Sequence, residues 1–66
     1  MKAFIDIQKN KSGETYINDQ VKNMNDCYAW FDLNMEDLKK IAKRKSVKSV
    51  TLYVKEQYTV IYSYTI

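Results

Sequence analysis

Residues 19–45, DQVKNMNDCYAWFDLNMEDLKKIAKRK, decide the fold, because they join two segments that each read as a β-hairpin. Their second half is the plainer part. Asn34 is a good N-cap, Glu36 and Asp37 oppose the positive end of a helix dipole, and Lys43, Arg44 and Lys45 fall at its negative end. Leu33 and Leu38 have the spacing of a hydrophobic staple. These signals predict an amphipathic helix over about residues 35–45, with Met35, Leu38, Ile41 and Ala42 as its apolar stripe and Lys39, Lys40, Lys43 and Arg44 on the opposing arc.

The first half admits two readings. Val21, Met24, Tyr28 and Phe31 recur at helical spacing, yet Asn23, Asn25 and Asp26 are poor helix formers that favour turns. The competing reading has a turn of helix near residues 19–24 and then a strand, CYAWFDL, with Cys27, Ala29, Phe31 and Leu33 facing one way and Tyr28 and Trp30 the other. Aromatic side chains concentrate in strands, and the strand is the reading taken.

Upstream, Ala3, Ile5 and Ile7 alternate with Lys2, Phe4, Asp6 and Gln8, the period-two signature of a half-buried strand. Asn10, Lys11, Ser12 and Gly13 are a turn signal, and Thr15, Tyr16 and Ile17 resume the strand pattern. Downstream, two strands run from about Val47 to Val54 and from Tyr58 to Ile66. A two- or four-residue loop around Lys55 to Tyr58 would pair Val54 with Thr59, Leu52 with Ile61 and Val50 with Ser63. One face would then hold Val50, Leu52, Val54 and Ile61, and the other Tyr53, Tyr58, Val60, Tyr62 and Tyr64. The expected fold is α+β in a single domain, residues 1–66: one small sheet of four to five mostly antiparallel strands, formed by the N-terminal and C-terminal hairpins and covered on one face by the single helix.

Composition narrows the function. The chain of 66 residues has no His, no Pro, one Gly and one Cys, with 45% hydrophobic and 29% charged residues. A chain of this length buries only about 60% of the surface its unfolded form exposes, so a deep cleft is not expected. Without His, the Ser/His and Cys/His nucleophile pairs cannot be built, and Cys27 has no basic residue within three positions. The expectation is a non-enzyme with no metal and no cofactor, and Cys27 reads as a small core residue. The lone cysteine, and the absence of an apolar run near the roughly 18 residues that span a bilayer, point to the cytoplasm.

Two surfaces could meet a partner. Lys39, Lys40, Lys43, Arg44, Lys45 and Lys48 put six positive charges within ten positions with no acid among them, as a phosphate-contacting surface would, although a solvated helix face has the same look. Tyr53, Tyr58, Tyr62 and Tyr64 would offer flat, amphipathic groups suited to a protein interface or to base stacking. The stretch DLKKIAKRKSVKSVTL, residues 37–52, resembles a helix-turn-helix in the placing of Leu38, Ile41, Ala42, Val47 and Leu52. It departs from that family at Ser46, where the turn usually has Gly, and at Lys45, where the first helix usually buries an apolar residue. SVKSVTLYV is moreover rich in β-branched residues, so the strand reading is kept.

The functional expectation is a small binding protein acting through protein–protein contact. Its richness in Lys, Ile, Tyr and Asn, whose codons are rich in A and T, fits a phage- or plasmid-encoded inhibitor of a larger host protein or nucleoprotein, an anti-CRISPR-like or other host-takeover protein being an example. The alternative is a DNA- or RNA-binding protein using Lys39, Lys40, Lys43, Arg44 and Lys48 on phosphates and the tyrosines for stacking. A homodimer joined through the C-terminal edge strand, which has no Pro or charge to protect it, is compatible with either.

Overall fold

Alternation of apolar and polar residues produces β1 (Lys2–Lys9), which turns at Asn10 to Ser12 into β2 (Gly13–Asn18). The computed structural model describes residues 1–66 and continues with one helix, α1 (Met24–Ala42), and a second hairpin, β3 (Val47–Glu56) and β4 (Thr59–Thr65). The four strands form one antiparallel sheet in the order β2-β1-β3-β4, so the two hairpins join through β1 and β3 at its centre. This is the α+β sheet with a one-sided helical cover read from the sequence.

The core follows from the alternation. Ala3, Ile5 and Ile7 of β1 and Val50, Leu52 and Val54 of β3 are all buried on one face, opposite Cys27, Phe31 and Leu38 of α1. Burying a side chain of the Val, Leu, Ile or Phe class contributes roughly 1.5–3 kcal/mol, and this single layer, with Val21 of the β2–α1 connection, is the core of the domain. The helix lies chiefly over β3, meets β4 at Tyr62 and leaves β2 almost entirely exposed.

The helix is the first correction. It begins eleven residues earlier than the predicted Met35, so CYAWFDL is helical and there is no strand between the hairpins. The Asx residues that argued against a helix are in fact its cap. The side chain of Asn23 accepts a hydrogen bond from the backbone N–H of Asp26 at 3.0 Å, and the Asp26 carboxylate accepts from the N–H of Lys22 at 3.2 Å. Residues unfavourable inside a helix are thus favourable at its start, where four N–H groups lack intrahelical partners. Asn34, the expected cap, lies mid-helix and donates from Nδ2 to the Trp30 carbonyl at 2.7 Å. Leu33 is 81% exposed, so the expected staple does not form.

The second correction concerns β4. Its register is Val54 with Tyr62, Tyr53 with Ser63 and Leu52 with Tyr64, not Val54 with Thr59 and Leu52 with Ile61. Two local features move it. The tight turn falls at Gln57 and Tyr58, with Gln57 at φ 55°, and a bulge beyond Lys55 leaves Ile61 without a partner on β3. The displaced turn alone would keep each side chain on its predicted face. One extra residue reverses the alternation, so Tyr62 and Tyr64 point to the helix side.

Candidate functional site

The basic residues gather at one end of the molecule. Lys39 and Lys40 occupy the last turn of α1, Lys43, Arg44 and Lys45 the turn into β3, and Lys48 the start of β3; all six are exposed. The β1–β2 turn lies beside them, held by a hydrogen bond from the Asn10 N–H to the Ser46 carbonyl at 3.1 Å. The end of β1 contributes Lys9 and the turn Lys11. Residues 9–14 and 39–48 thus hold eight of the eleven basic residues and one carboxylate, Glu14, a formal +7, with Glu36 and Asp37 one helical turn below Lys40. The rest of the chain holds three basic and seven acidic residues, a formal −4.

Glu14 is neutralised within the pole. The hydrogen bond and charge of Lys9 hold its carboxyl below the usual range, helped by the Tyr16 hydroxyl and the charge of Arg44. Two segments more than twenty residues apart thus act on one carboxylate. No local signal marks Lys9 and Lys11 as members of this cluster, because only the β2-β1-β3-β4 topology brings the first turn to the end of the helix.

The four tyrosines expected on one face are divided among three places. Tyr53 lies on the side of the sheet away from the helix, stacked on Phe4 with ring centroids 4.7 Å apart and planes 3° from parallel. Tyr58 is in the β3–β4 turn and 97% exposed. Tyr62 meets the helix edge-on at Tyr28, centroids 5.4 Å apart, and stacks against Phe31 at 6.2 Å. Tyr64 shares its side of the sheet but remains 48% exposed. A continuous four-tyrosine platform is not assembled.

The uncovered sheet face instead carries mixed chemistry. Ile17, Phe4, Tyr53 and Ser63 form one cross-strand row, and Thr15, Asp6, Thr51 and Thr65 the next. Thr15 donates its hydroxyl to Asp6, and Lys55 Nζ stands 5.9 Å from the Tyr53 ring centroid. Burial, then the nearby Asp6 charge, raises the Tyr53 hydroxyl pKa.

On the helix side, an open groove of about 440 Å³ runs between α1 and the β1–β2 hairpin, lined chiefly by Ile5, Ile7, Tyr16, Trp30, Leu38 and Ile41. It exists because the helix stops short of β2. Cys27 is buried under the helix start, with its Sγ 4.0 Å from the Met1 sulfur. Burial, then the Asp26 charge, pushes its thiol pKa up, opposite to what a reactive cysteine needs. No helix is long and apolar enough to cross a membrane. Comparison of this chain with protein families, with curated proteins and with solved structures found no match.

Proposed function

We propose that this chain is a non-enzymatic binding protein of the cytoplasm, which docks its cationic pole onto an acidic surface of a larger host protein or nucleoprotein. The manner is that of a phage- or plasmid-encoded inhibitor. The observation that carries this reading is the convergence of eight positive side chains from the β1–β2 turn, the end of α1 and the start of β3 around one carboxylate. Such a pole steers a small protein to an oppositely charged patch and fixes its orientation there.

The surroundings of the pole favour a compact acidic patch over an extended polyanion. Asp32, Glu36 and Asp37 are exposed along the helix just below it, so a nucleic-acid strand following the helix would soon meet carboxylates. The short dimensions of the molecule, 24 and 16 Å, bound the end face to the size of a local contact.

The test is affinity capture from host lysate after nuclease digestion, comparing the native chain with the triple variant Lys40→Glu, Lys43→Glu, Arg44→Glu. A specific protein retained by the native chain and lost by the variant is the expected result. Retention unchanged by charge reversal would exclude the pole as the contact. A second reading, phosphate contact with DNA or RNA, is favoured by the same clustering of lysines. It predicts capture that disappears on nuclease treatment and an affinity falling by about three to five powers of ten between 50 and 200 mM salt if six to ten phosphates are contacted.

A further inference from the structure

We propose that β4 pairs antiparallel with β4 of a second copy of this chain, joining two four-stranded sheets into one of eight strands. The hydrogen-bond pattern shows which groups are free for this. Ile66 donates its N–H to the Val50 carbonyl at 2.9 Å, so the directly bonded pairs continue at Leu52–Tyr64 and Val54–Tyr62. Thr65 and Ser63 then direct their backbone N–H and C=O away from β3, into the open edge. The 3.2 Å approach of the Thr51 and Thr65 hydroxyls fits the closer spacing of a non-bonded pair.

Centring the pairing on Ser63 uses both edge-directed groups of Ser63, while Thr65 meets the bulged Ile61, where the ladder is irregular. Ser63 faces Ser63 of the second copy, Ile61 faces Thr65, and Tyr62 faces Tyr64. The last pairing recurs on both sides of the two-fold axis and places four tyrosines in one ladder on the helix side, as non-hydrogen-bonded pairs whose side chains approach most closely. Tyr64, Val60 and Ile61, which are 48%, 48% and 44% exposed in the single chain, lose solvent together.

Charge selects a second copy as the occupant. From Gln57 to Ile66 the chain carries no charged side chain, so the edge meets itself without repulsion, whereas the other edge, β2, carries Glu14 and is one residue shorter. The molecule is also electrically lopsided along its strands, +7 at the basic pole and −4 over the remainder. Antiparallel pairing keeps the two basic poles at opposite ends of the joined sheet; the β3–β4 turn it sets beside each pole carries Glu56 together with Lys55 and Lys2 and adds no net attraction. Parallel pairing would bring the two basic poles together.

Analytical ultracentrifugation over a concentration series, with amide hydrogen exchange at Ser63 and Thr65, tests the proposal. The expected result is a reversible species of twice the 7.9 kDa chain mass, with both amides protected only when it forms. Ser63→Pro removes an edge-directed N–H without touching the β3–β4 ladder, and Ser63→Lys opposes two like charges at the two-fold axis. Each should weaken association by about tenfold or more. Mixing Ser63→Lys with Ser63→Glu chains should restore it. A monomer throughout the series, a dimer indifferent to both substitutions, or no recovery in the mixture would overturn the Ser63-centred pairing.

Discussion

The start of α1 is tested by substituting the two asparagines that compete for the cap. Asn23 accepts from the Asp26 N–H at 3.0 Å, and Asn23→Ala leaves that donor without its partner at the end of a 19-residue helix. Loss of such a cap costs about 1 kcal/mol, within a range of roughly 0.5–2 kcal/mol. Asn34→Ala has opposing effects. It removes the hydrogen bond to the Trp30 carbonyl, a loss of about 0.5–1.5 kcal/mol, and replaces a poor helix former by the best one, a gain of up to about 0.7 kcal/mol. The net change should stay within about 0.5 kcal/mol.

A domain of this length loses about 4–8 °C in melting temperature per kcal/mol. Circular-dichroism melts should therefore place Asn23→Ala several degrees below the native chain and Asn34→Ala within a few degrees of it. Were the helix to begin at residue 35 instead, Asn34 would be the cap and the order would reverse. A larger loss for Asn34→Ala than for Asn23→Ala would refute the reasoning.

The division of the tyrosines makes a second prediction. Tyr62→Ala removes a half-buried ring packed on Tyr28 and Phe31 and should cost about 2 kcal/mol in urea unfolding, while Tyr58→Ala, in the exposed turn, should stay within about 0.5 kcal/mol. Equal effects would show that the bulge does not turn Tyr62 inward. A third concerns Cys27, whose thiol pKa is raised by burial and then by Asp26. A thiol reagent should label it slowly in the native protein and rapidly in denaturant. Because the folded pKa lies above the unfolded one, this group's contribution to stability is complete below the ordinary thiol value of 9.0 and declines as pH rises beyond it. Labelling at the rate of a free cysteine, or no alkaline decline, would contradict this burial.

Legibility in the sequence followed the range of each signal. Alternation over Lys2–Gln8 and Val50–Val54 reports directly on which side chains meet the core, because strand geometry sends neighbours to opposite faces whatever lies around them. The same held for the resemblance at residues 37–52, where the β-branched run after Ser46 indicated a strand and β3 is one. The segment from Met24 to Leu33 was misread because the propensities of Asn23, Asn25 and Asp26 depend on position. They oppose a helix interior and favour its first turn, and packing of Cys27 and Phe31 against the sheet decides between the two.

By itself, the sequence determined the α+β class, the two hairpins, the buried faces of β1 and β3 and the basic character of residues 39–48. Each of these depends on neighbours a few positions away. Only the tertiary structure decided where the helix starts, which way β4 turns its tyrosines and which charges meet. A single bulged residue reverses every side chain beyond it, and no periodicity within β4 reveals the bulge, because Val60, Ile61, Tyr62 and Tyr64 leave both faces plausible. The cationic pole likewise exists because antiparallel topology returns the first turn to the end of the helix, bringing Lys9 and Lys11 to residues more than twenty-five positions away.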